Sequence, residues 1–354
     1  MKGVKVMTRY VIKRIFFVLL TAFIVLSLTY ILLNCLKVQK IVANTPGELY
    51  SYYYSQVKKG FVVDVTSPSD KYGELLEQIT IGTGAAKVTH YFYNKPIMDR
   101  YCVWLTGIFT KWDWGVSTSF ALNKSTIDIL AERLPVTISI NVIAMLISVP
   151  LGIGFGVLCA LKKGTIFDNI SQIIIMIFIS IPGFVLISYL IMGAYNTTWL
   201  PTYWPQKTDP LSYRVAAYII PVTALSLGSI CGYARFVRAE LCEVLESEYL
   251  LLARTKGLTR RQAIIRHAFR NSMVPVLPSV VAEFISILGG SMILENLYQI
   301  PGVGQLYMAA FNTRDYALLM TDMAFYTIIG LTSSILVDLS YGFIDPRIRM
   351  GAKK

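Results

Sequence analysis

The chain has 354 residues, 55% of them hydrophobic and 15% charged, with mean hydropathy +0.55. That balance excludes an ordinary water-soluble domain, and apolar runs of about 20 residues recur, the length that crosses a bilayer core of about 30 Å. The net charge of +12 would point to nucleic acid in a soluble protein. Here the cations gather at the ends of the apolar runs, which instead fits loops on the inner side of a membrane.

The expected fold class is an all-α polytopic membrane protein with six transmembrane helices. The first span covers about 10–34, with Lys2, Lys5, Arg9, Lys13 and Arg14 flanking its apolar run. It resembles a signal peptide only in its basic start. Its apolar run is long enough to span and has no small-residue cleavage site, so it reads as retained. Residues 36–133 are polar and rich in aromatics, and form a small mixed helix and strand segment on the outer side. The second span, 135–161, is opened by Pro135 and broken by Pro150, Gly152, Gly154 and Gly156. The third covers 169–195, with Pro182-Gly183 in its middle, and the fourth 215–237. The fifth covers 274–297 and contains Gly289-Gly290, and the sixth 317–343. Three regions follow: 1–35, the tail and first span; 36–133, the outer segment; and 134–354, a five-helix core with a loop at 247–273.

Proline and glycine inside spans are open to two readings. They are commoner in membrane helices than in soluble ones, or they are kinks that let helices part around a pathway. Lys162, Lys163, the cluster at 254–270 and Arg347, Arg349, Lys353 and Lys354 share the inner side with both termini if the rule of positive inner loops holds. Of five cysteines none has CxxC spacing, and the two histidines stand alone, so neither zinc nor a disulfide framework is supported. Cys35 and Cys102 would share the outer side, which leaves room for one bridge.

The stretch SEYLLLARTKGLTRRQAIIRHAFRNSMVP lies between the fourth and fifth spans. Ser247 caps a first helix, with Glu248 favourable to its dipole. Gly257 is a natural residue for the left-handed turn that ends it, with Arg254 and Lys256 in the last turn. Thr259 and Gln262 then have capping-box spacing for a second helix, expected over 260–271 and ending before Pro275. Tyr249, Leu250, Leu252, Ala253 and Leu258 give the first helix an apolar face that must be buried, in headgroups or in a partner's groove. A DNA-binding helix-turn-helix fails because the unit cannot leave the membrane.

Elsewhere, Glu283 sits mid-span and is expected to face the bundle interior. Asp322 and Asp338 lie in the sixth span. Arg235 and Arg238 snorkel or pair with Glu240. No GxxxxGK[ST] loop occurs, so the chain holds no ATP by that route.

EYLLLARTKGL and IRHAFRNSMVPV resemble the coupling loop of ABC-importer permeases, and most of all the peptide-importer subfamily. The general Glu-Ala-Ala pattern matches only at Ala253 and Gly257. The subfamily version agrees also at Tyr249, Arg254, Lys256, Leu258, Arg266, His267, Ala268, Arg270 and Asn271. ERLPVTISI, NLYQIPGVGQL, TRDYALLM and VDLSYGFIDPRIR resemble the B-type permease subunit of oligopeptide and dipeptide importers. The resemblance covers nearly the whole chain apart from about 40–90.

It implies a permease subunit with no catalytic residues and no cofactor or metal of its own, ATP and Mg residing on partner subunits. It implies ATPase coupling through Glu248, Tyr249, Leu252, Ala253, Arg254, Lys256, Gly257, Leu258, Arg266 and His267. Arg254, Lys256, Arg260 and Arg261 could pair with acidic residues there or with anionic lipid. Pathway or gate roles fall on Glu283, Glu295, Pro301, Gly302, Gly304 and Asp322. The implied partners are a second, C-type permease, two nucleotide-binding ATPase subunits, an extracytoplasmic peptide-binding protein and the lipid bilayer, with no nucleic acid. The location implied is the prokaryotic cytoplasmic membrane. The rival readings are a stand-alone secondary transporter, which predicts inverted repeats and more paired intramembrane charges, and an integral-membrane enzyme, which needs a clustered set of His, Asp or Glu.

Overall fold

The computed structural model describes residues 2–36, 41, 43, 45–69, 71, 72, 74–82 and 87–344, without the side chains of 2–11 and 341–344. The side chains of Lys2, Lys5 and Arg9, the tail cations Arg347, Arg349, Lys353 and Lys354, and parts of the 40–90 segment thus lie outside the described residues. The chain divides into two compact units. One takes its described residues from 2–18, 134–305 and 329–344, the other from 19–133 and 306–328.

The elements run α1 (Lys2–Cys35), α2 (Pro46–Lys59), β1 (Val62–Val65), β2 (Leu75–Ile81), β3 (Val88–Asn94), α3 (Ile97–Lys111), α4 (Thr126–Leu161), α5 (Ile166–Ser180) and α6 (Gly183–Ala194). Then follow α7 (Leu211–Ala216), α8 (Ile219–Leu245), α9 (Glu248–Thr255), α10 (Arg260–Ala263), a π-helical turn (Ile264–Ala268), α11 (Phe269–Ser286), a 3-10 turn (Ile287–Gly289), α12 (Met292–Leu297), α13 (Val303–Asn312) and α14 (Tyr316–Ile344). Five stretches are long and apolar enough to cross a membrane: Ile12–Cys35, Thr126–Leu161, Leu211–Leu245, Arg260–Leu297 and Tyr316–Ser340.

The sixth span is the pair α5 and α6, bent by 96°. Pro182 lacks an amide hydrogen and holds Ile181 in an extended conformation, which ends α5. The two halves still line α8 from end to end. Ile175 of α5 packs on Cys231 and Ala234, and Ile187 and Ala194 of α6 share a core with Ile220, Val222 and Ala224. Counted as one span in two pieces, the pair brings the described candidates to six. Arg14 meets Asp338 at 2.6 Å, joining the start of α1 to the end of α14.

The second span differs from expectation. α4 starts at Thr126, so Pro135 lies inside it, and the helix continues through Pro150 and the glycines. Freed backbone groups in a membrane helix are re-satisfied by neighbours and local adjustment, so an internal proline is tolerated. Two of the glycines have a packing role. A Cβ on Gly152 would come within 2.6 Å of Tyr233 Cβ, and one on Gly156 within 2.7 Å of the Ala234 carbonyl oxygen. Their spacing of four puts both on one face, where α4 and α8 approach backbone to backbone. Gly154 meets nothing within 4 Å.

The other unit holds the segment after the first span, a mix of helix and strand. Its three strands form an antiparallel sheet in the order β1-β3-β2, with Val63 opposite Tyr93 and Ile79 opposite His90. Tyr52 and Tyr53 of α2 cover Val62, Ile79 and Phe92. The buried Asp315 closes the unit. Its Oδ2 accepts from Ser117 Oγ at 2.5 Å and from the amides of Thr118, Ser119 and Phe120 at 2.9, 3.0 and 3.2 Å. Its Oδ1 accepts from the Leu318 amide at 3.2 Å and so caps α14. Cys35 and Cys102 are free and exposed, and the bridge for which the sequence left room is not formed.

Candidate functional site: the elbow between the fourth and fifth spans

α8 ends at Leu245 and α9 begins three residues later, at Glu248. The side chain of Ser247 does not cap α9. Its hydroxyl turns back and donates to the Val244 carbonyl at 2.5 Å, so it tightens the end of α8 instead. The C-terminus of α9 follows the expected design. Gly257 is left-handed, with φ +93°. Its amide donates to the Arg254 carbonyl at 3.0 Å, and the Leu258 amide reaches back to the Ala253 carbonyl at 3.4 Å. This pair of bonds is a Schellman closure. Thr259 and Gln262 then form the capping box in both directions, at 3.1 and 3.3 Å.

The second helix does not end before Pro275. α10 passes through the π-helical turn at Ile264–Ala268 into α11, which contains both Pro275 and Pro278. The π turn adds a residue to the repeat and shifts the register. α9 is therefore separated from the fifth span by one Schellman turn and one capping box, with no slack loop.

The apolar residues of α9 divide between two faces. Leu250 is 5% exposed, packed with Leu241 and Cys242 of α8, Ala160 of α4, and Ala263 and Ala268 beyond the turn. Ala253 and Leu258 are half-buried. Tyr249, Leu251 and Leu252 are 41%, 63% and 56% exposed. Around them Glu248, Arg254, Lys256, Arg260, Arg261, Arg266, His267 and Arg270 are all exposed, and none of the cations forms an ion pair among the described residues. Leu251 was not assigned to the apolar face from sequence, yet it is the most exposed leucine of α9. The end of α4 is tied to the elbow by an ion pair of Lys163 with Glu246.

One helix-linking ion pair stands behind the elbow. Arg238 does not pair with Glu240. It grips the fully buried Asp168 of α5, which also accepts from the Gly164 amide at 3.0 Å. Asp168 was missed in the sequence; its only local signal is Thr165, three residues earlier, which caps α5 and accepts from the Asp168 amide.

Of the residues proposed for a pathway, Glu283, Glu295, Pro301, Gly302 and Gly304 lie in one unit and Asp322 in the other. Glu283 is half-buried, and Ser148 of α4 donates to it at a long 3.5 Å. Asp322 is fully buried in α14, in the other unit. The fifth span breaks at Gly290, whose φ of +63° suits glycine, and resumes as α12. Beyond the break, Glu295, Gly302 and Gly304 form a closed knot. Glu295 is 2% exposed. It accepts from Thr137 Oγ1 at 3.0 Å and from the Gln305 amide at 3.1 Å, while Thr137 Oγ1 accepts from the Val303 amide at 2.9 Å. A Cβ on Gly302 would collide with Glu295 Oε2 and Thr137 Oγ1, and one on Gly304 would lie 2.7 Å from Met292 Cα. Pro301 is half-buried at its edge. Next to it, Tyr298 donates to the Pro201 carbonyl at 2.7 Å and its own carbonyl accepts from the Trp204 amide at 2.9 Å.

Five long apolar spans and one bent pair, with a capped elbow after α8, define a polytopic membrane protein. The chain belongs to the family described as binding-protein-dependent transport system inner membrane component, whose model matches residues 152–350. It is the permease subunit of an ABC importer. It is 29% identical over 348 residues to the dipeptide transport system permease protein of Bacillus subtilis (strain 168), covering 98% of this chain and 100% of that one. It is 34% identical over 261 residues to the oligopeptide transport system permease protein of Escherichia coli (strain K12), covering 73% of this chain and 83% of that one. A chain of the inward-facing MetNI methionine ABC transporter is similar at 18% identity with a TM-score of 0.49, over 62% of this chain and 97% of that one.

Proposed function

We propose that this permease carries peptides handed over by an extracytoplasmic binding protein, and that it is driven by two separate ATPase subunits through α9. A second, C-type permease supplies the other half of the pathway. ATP and Mg belong to the ATPase subunits. The elbow and both termini face the cytoplasm, in line with the cations at Lys162, Lys163 and 254–270. The peptide assignment draws on the names of the two relatives, which are permeases of dipeptide and oligopeptide systems.

The single observation that carries the coupling role is the exposed apolar strip Tyr249, Leu251 and Leu252, set among cations on a helix whose other face is pinned by Leu250. A groove that covers Leu251 and Leu252 gains about 1.5–3 kcal/mol for each. Because no slack loop separates α9 from α8 or from α11, a push on α9 is delivered to the fourth and fifth spans together. Closure of the ATPase subunits around ATP would tilt those spans and switch access to the pathway from one side of the membrane to the other. The experiment is a double substitution, Leu251→Asp with Leu252→Asp, in the assembled importer. Membrane insertion and yield are expected to survive, while the ATPase subunits no longer co-purify and peptide uptake falls at least tenfold. Unchanged uptake contradicts the role given to α9.

A further inference from the structure

α3, in the unit that contains the sheet, takes no part in the coupling or gating roles and presents three distinct sides. The first packs on α1. Tyr101 Oη lies 2.8 Å from Ser27 Oγ, Tyr30 stacks on Trp104 with ring centroids 4.6 Å apart, and Arg100 Nη1 donates to Asn34 Oδ1 at 2.9 Å. The second side is polar. Its Thr106 and Thr110 border a groove shared with Lys58, Lys111 and the Lys59–Asp113 ion pair, a surface for water and headgroups.

The third side is an apolar stripe. Met98, Cys102, Leu105 and Phe109 follow one another at steps of four, three and four residues, so they share one face of the helix. Met98 is 61% and Phe109 75% exposed, and Cys102 is exposed beside them. Trp112 extends the stripe. The turn that ends α3 holds it at φ +54°, a left-handed value uncommon for a bulky residue. The Trp112 amide donates to the Ile108 carbonyl at 3.1 Å and the Asp113 amide to the Gly107 carbonyl at 3.2 Å. Trp114 meets the Trp112 ring edge to face at 5.6 Å, and Trp112 still keeps 63% exposure.

Depth identifies what covers this stripe. Ser27, Tyr30 and Asn34 all belong to the apolar stretch Ile12–Cys35, the first membrane span. At 1.5 Å per residue they lie about 12, 8 and 2 Å short of its end. Leu28 and Leu32, at the same levels of α1, are exposed. α3 is therefore held beside the span and not above it. An amphipathic helix in an interface sinks its apolar face about 5–10 Å into the boundary of headgroups and acyl chains, and tryptophan settles at that level.

We propose that α3 lies in the membrane interface with Met98, Cys102, Leu105, Phe109 and Trp112 against lipid, so that the unit that bears the sheet is held to the bilayer by α3 as well as by its spans. The leaflet is the outer one on the orientation proposed above, and contact with lipid does not depend on that orientation.

The test uses the assembled importer. Of the five cysteines, Cys159, Cys231 and Cys242 are buried, so Cys35→Ser leaves Cys102 as the one exposed thiol. A nitroxide is attached there in detergent, before reconstitution into nanodiscs of phosphatidylcholine and phosphatidylglycerol. Phe109→Cys and Thr110→Cys, each with Cys35 and Cys102 changed to serine, carry the label on the apolar stripe and on the polar side. Electron paramagnetic resonance reads collisions with oxygen, which concentrates in lipid, and with a water-soluble nickel chelate. The oxygen-to-nickel ratio is expected to be at least threefold higher at Cys102 and in Phe109→Cys than in Thr110→Cys. A smaller difference, with the nickel chelate reaching the stripe, places it in water and overturns the proposal. Low collision with both reagents places the stripe under another subunit and overturns it equally. Modification of Thr110→Cys by an impermeant thiol reagent on one side of sealed vesicles reports the orientation separately, so an error there is not mistaken for loss of lipid contact.

Discussion

Arg238 holds Asp168 through both oxygens of its carboxylate, Nε to Oδ1 at 2.6 Å and Nη2 to Oδ2 at 2.7 Å. This clamps α5 to α8 just before α8 enters the elbow. Removing one partner of a buried pair strands the other charge and costs about 3–5 kcal/mol. The Arg238 side chain keeps 24% exposure, which places the cost at the low end. Asp168→Asn and Arg238→Ala should each lower the thermal midpoint of the detergent-solubilised protein by an amount corresponding to about 3 kcal/mol. Arg238→Lys should recover only part of it, because a point charge cannot make the two-pronged contact.

Gly257 has open space where a side chain would stand, with nothing within 4 Å, so its requirement is conformational rather than steric. A left-handed residue with a Cβ costs about 1–2 kcal/mol, and asparagine tolerates the conformation best. Transport-coupled ATP hydrolysis should therefore fall in the order Gly, Asn, Ala, Val at this position. Membrane insertion, followed by protein level in isolated membranes, should stay constant across the series.

Gly302 presents the opposite case. A methyl group there would overlap Thr137 and the buried Glu295 carboxylate. Gly302→Ala should cost more than about 2 kcal/mol by overpacking. Gly154→Ala, where nothing lies within 4 Å, should be neutral or slightly stabilising in its helix. Comparing the yields and melting temperatures of the two variants separates a steric effect from a general intolerance of changed glycines.

The Lys59–Asp113 ion pair, at 2.7 Å, should leave an acid signature. Burial alone would raise the Asp113 carboxyl, but the hydrogen bonds from Lys59 and the Gly115 amide, with the charges of Lys59 and Lys111, hold it below the usual carboxylate range. A depressed folded value means that the stability it contributes is complete above the unfolded pKa of about 3.9 and is lost as pH falls through the folded value. The stability difference between wild type and Asp113→Asn should be constant from neutral pH down to about 5 and shrink below about 4. Melting curves across that range check it.

Spans and caps are local features, and most of them are legible. Apolar length marks five spans and the bent pair that makes a sixth candidate, and Thr259 with Gln262 marks the capping box that the structure forms in both directions, whereas Ser247 turns back to α8. Other features depend on partners far away in sequence. Asp168 and Arg238 lie 70 residues apart, and no periodicity links them. Gly152 and Gly156 read equally well as hinges or as common membrane glycines until Tyr233 and Ala234 are seen against them. Pro275 carries a stop signal derived from water-soluble helices, and the π turn and the helix passing through it override that signal. Glu295 reads from the sequence as a pathway or gate residue, but only the fold shows its carboxylate enclosed by Thr137 and the glycines.

The coupling role turns on what covers Leu252, which is 56% exposed on the outer face of α9. A single cysteine in place of Leu252, in a chain whose native cysteines are replaced by serine or alanine, can carry a short photoactivatable cross-linker in the assembled importer. Cross-linking during ATP turnover should trap Leu252→Cys on an ATPase subunit, with little product from a probe placed at the buried Leu250. Products formed with phospholipid alone, throughout the cycle, would contradict the coupling role of α9.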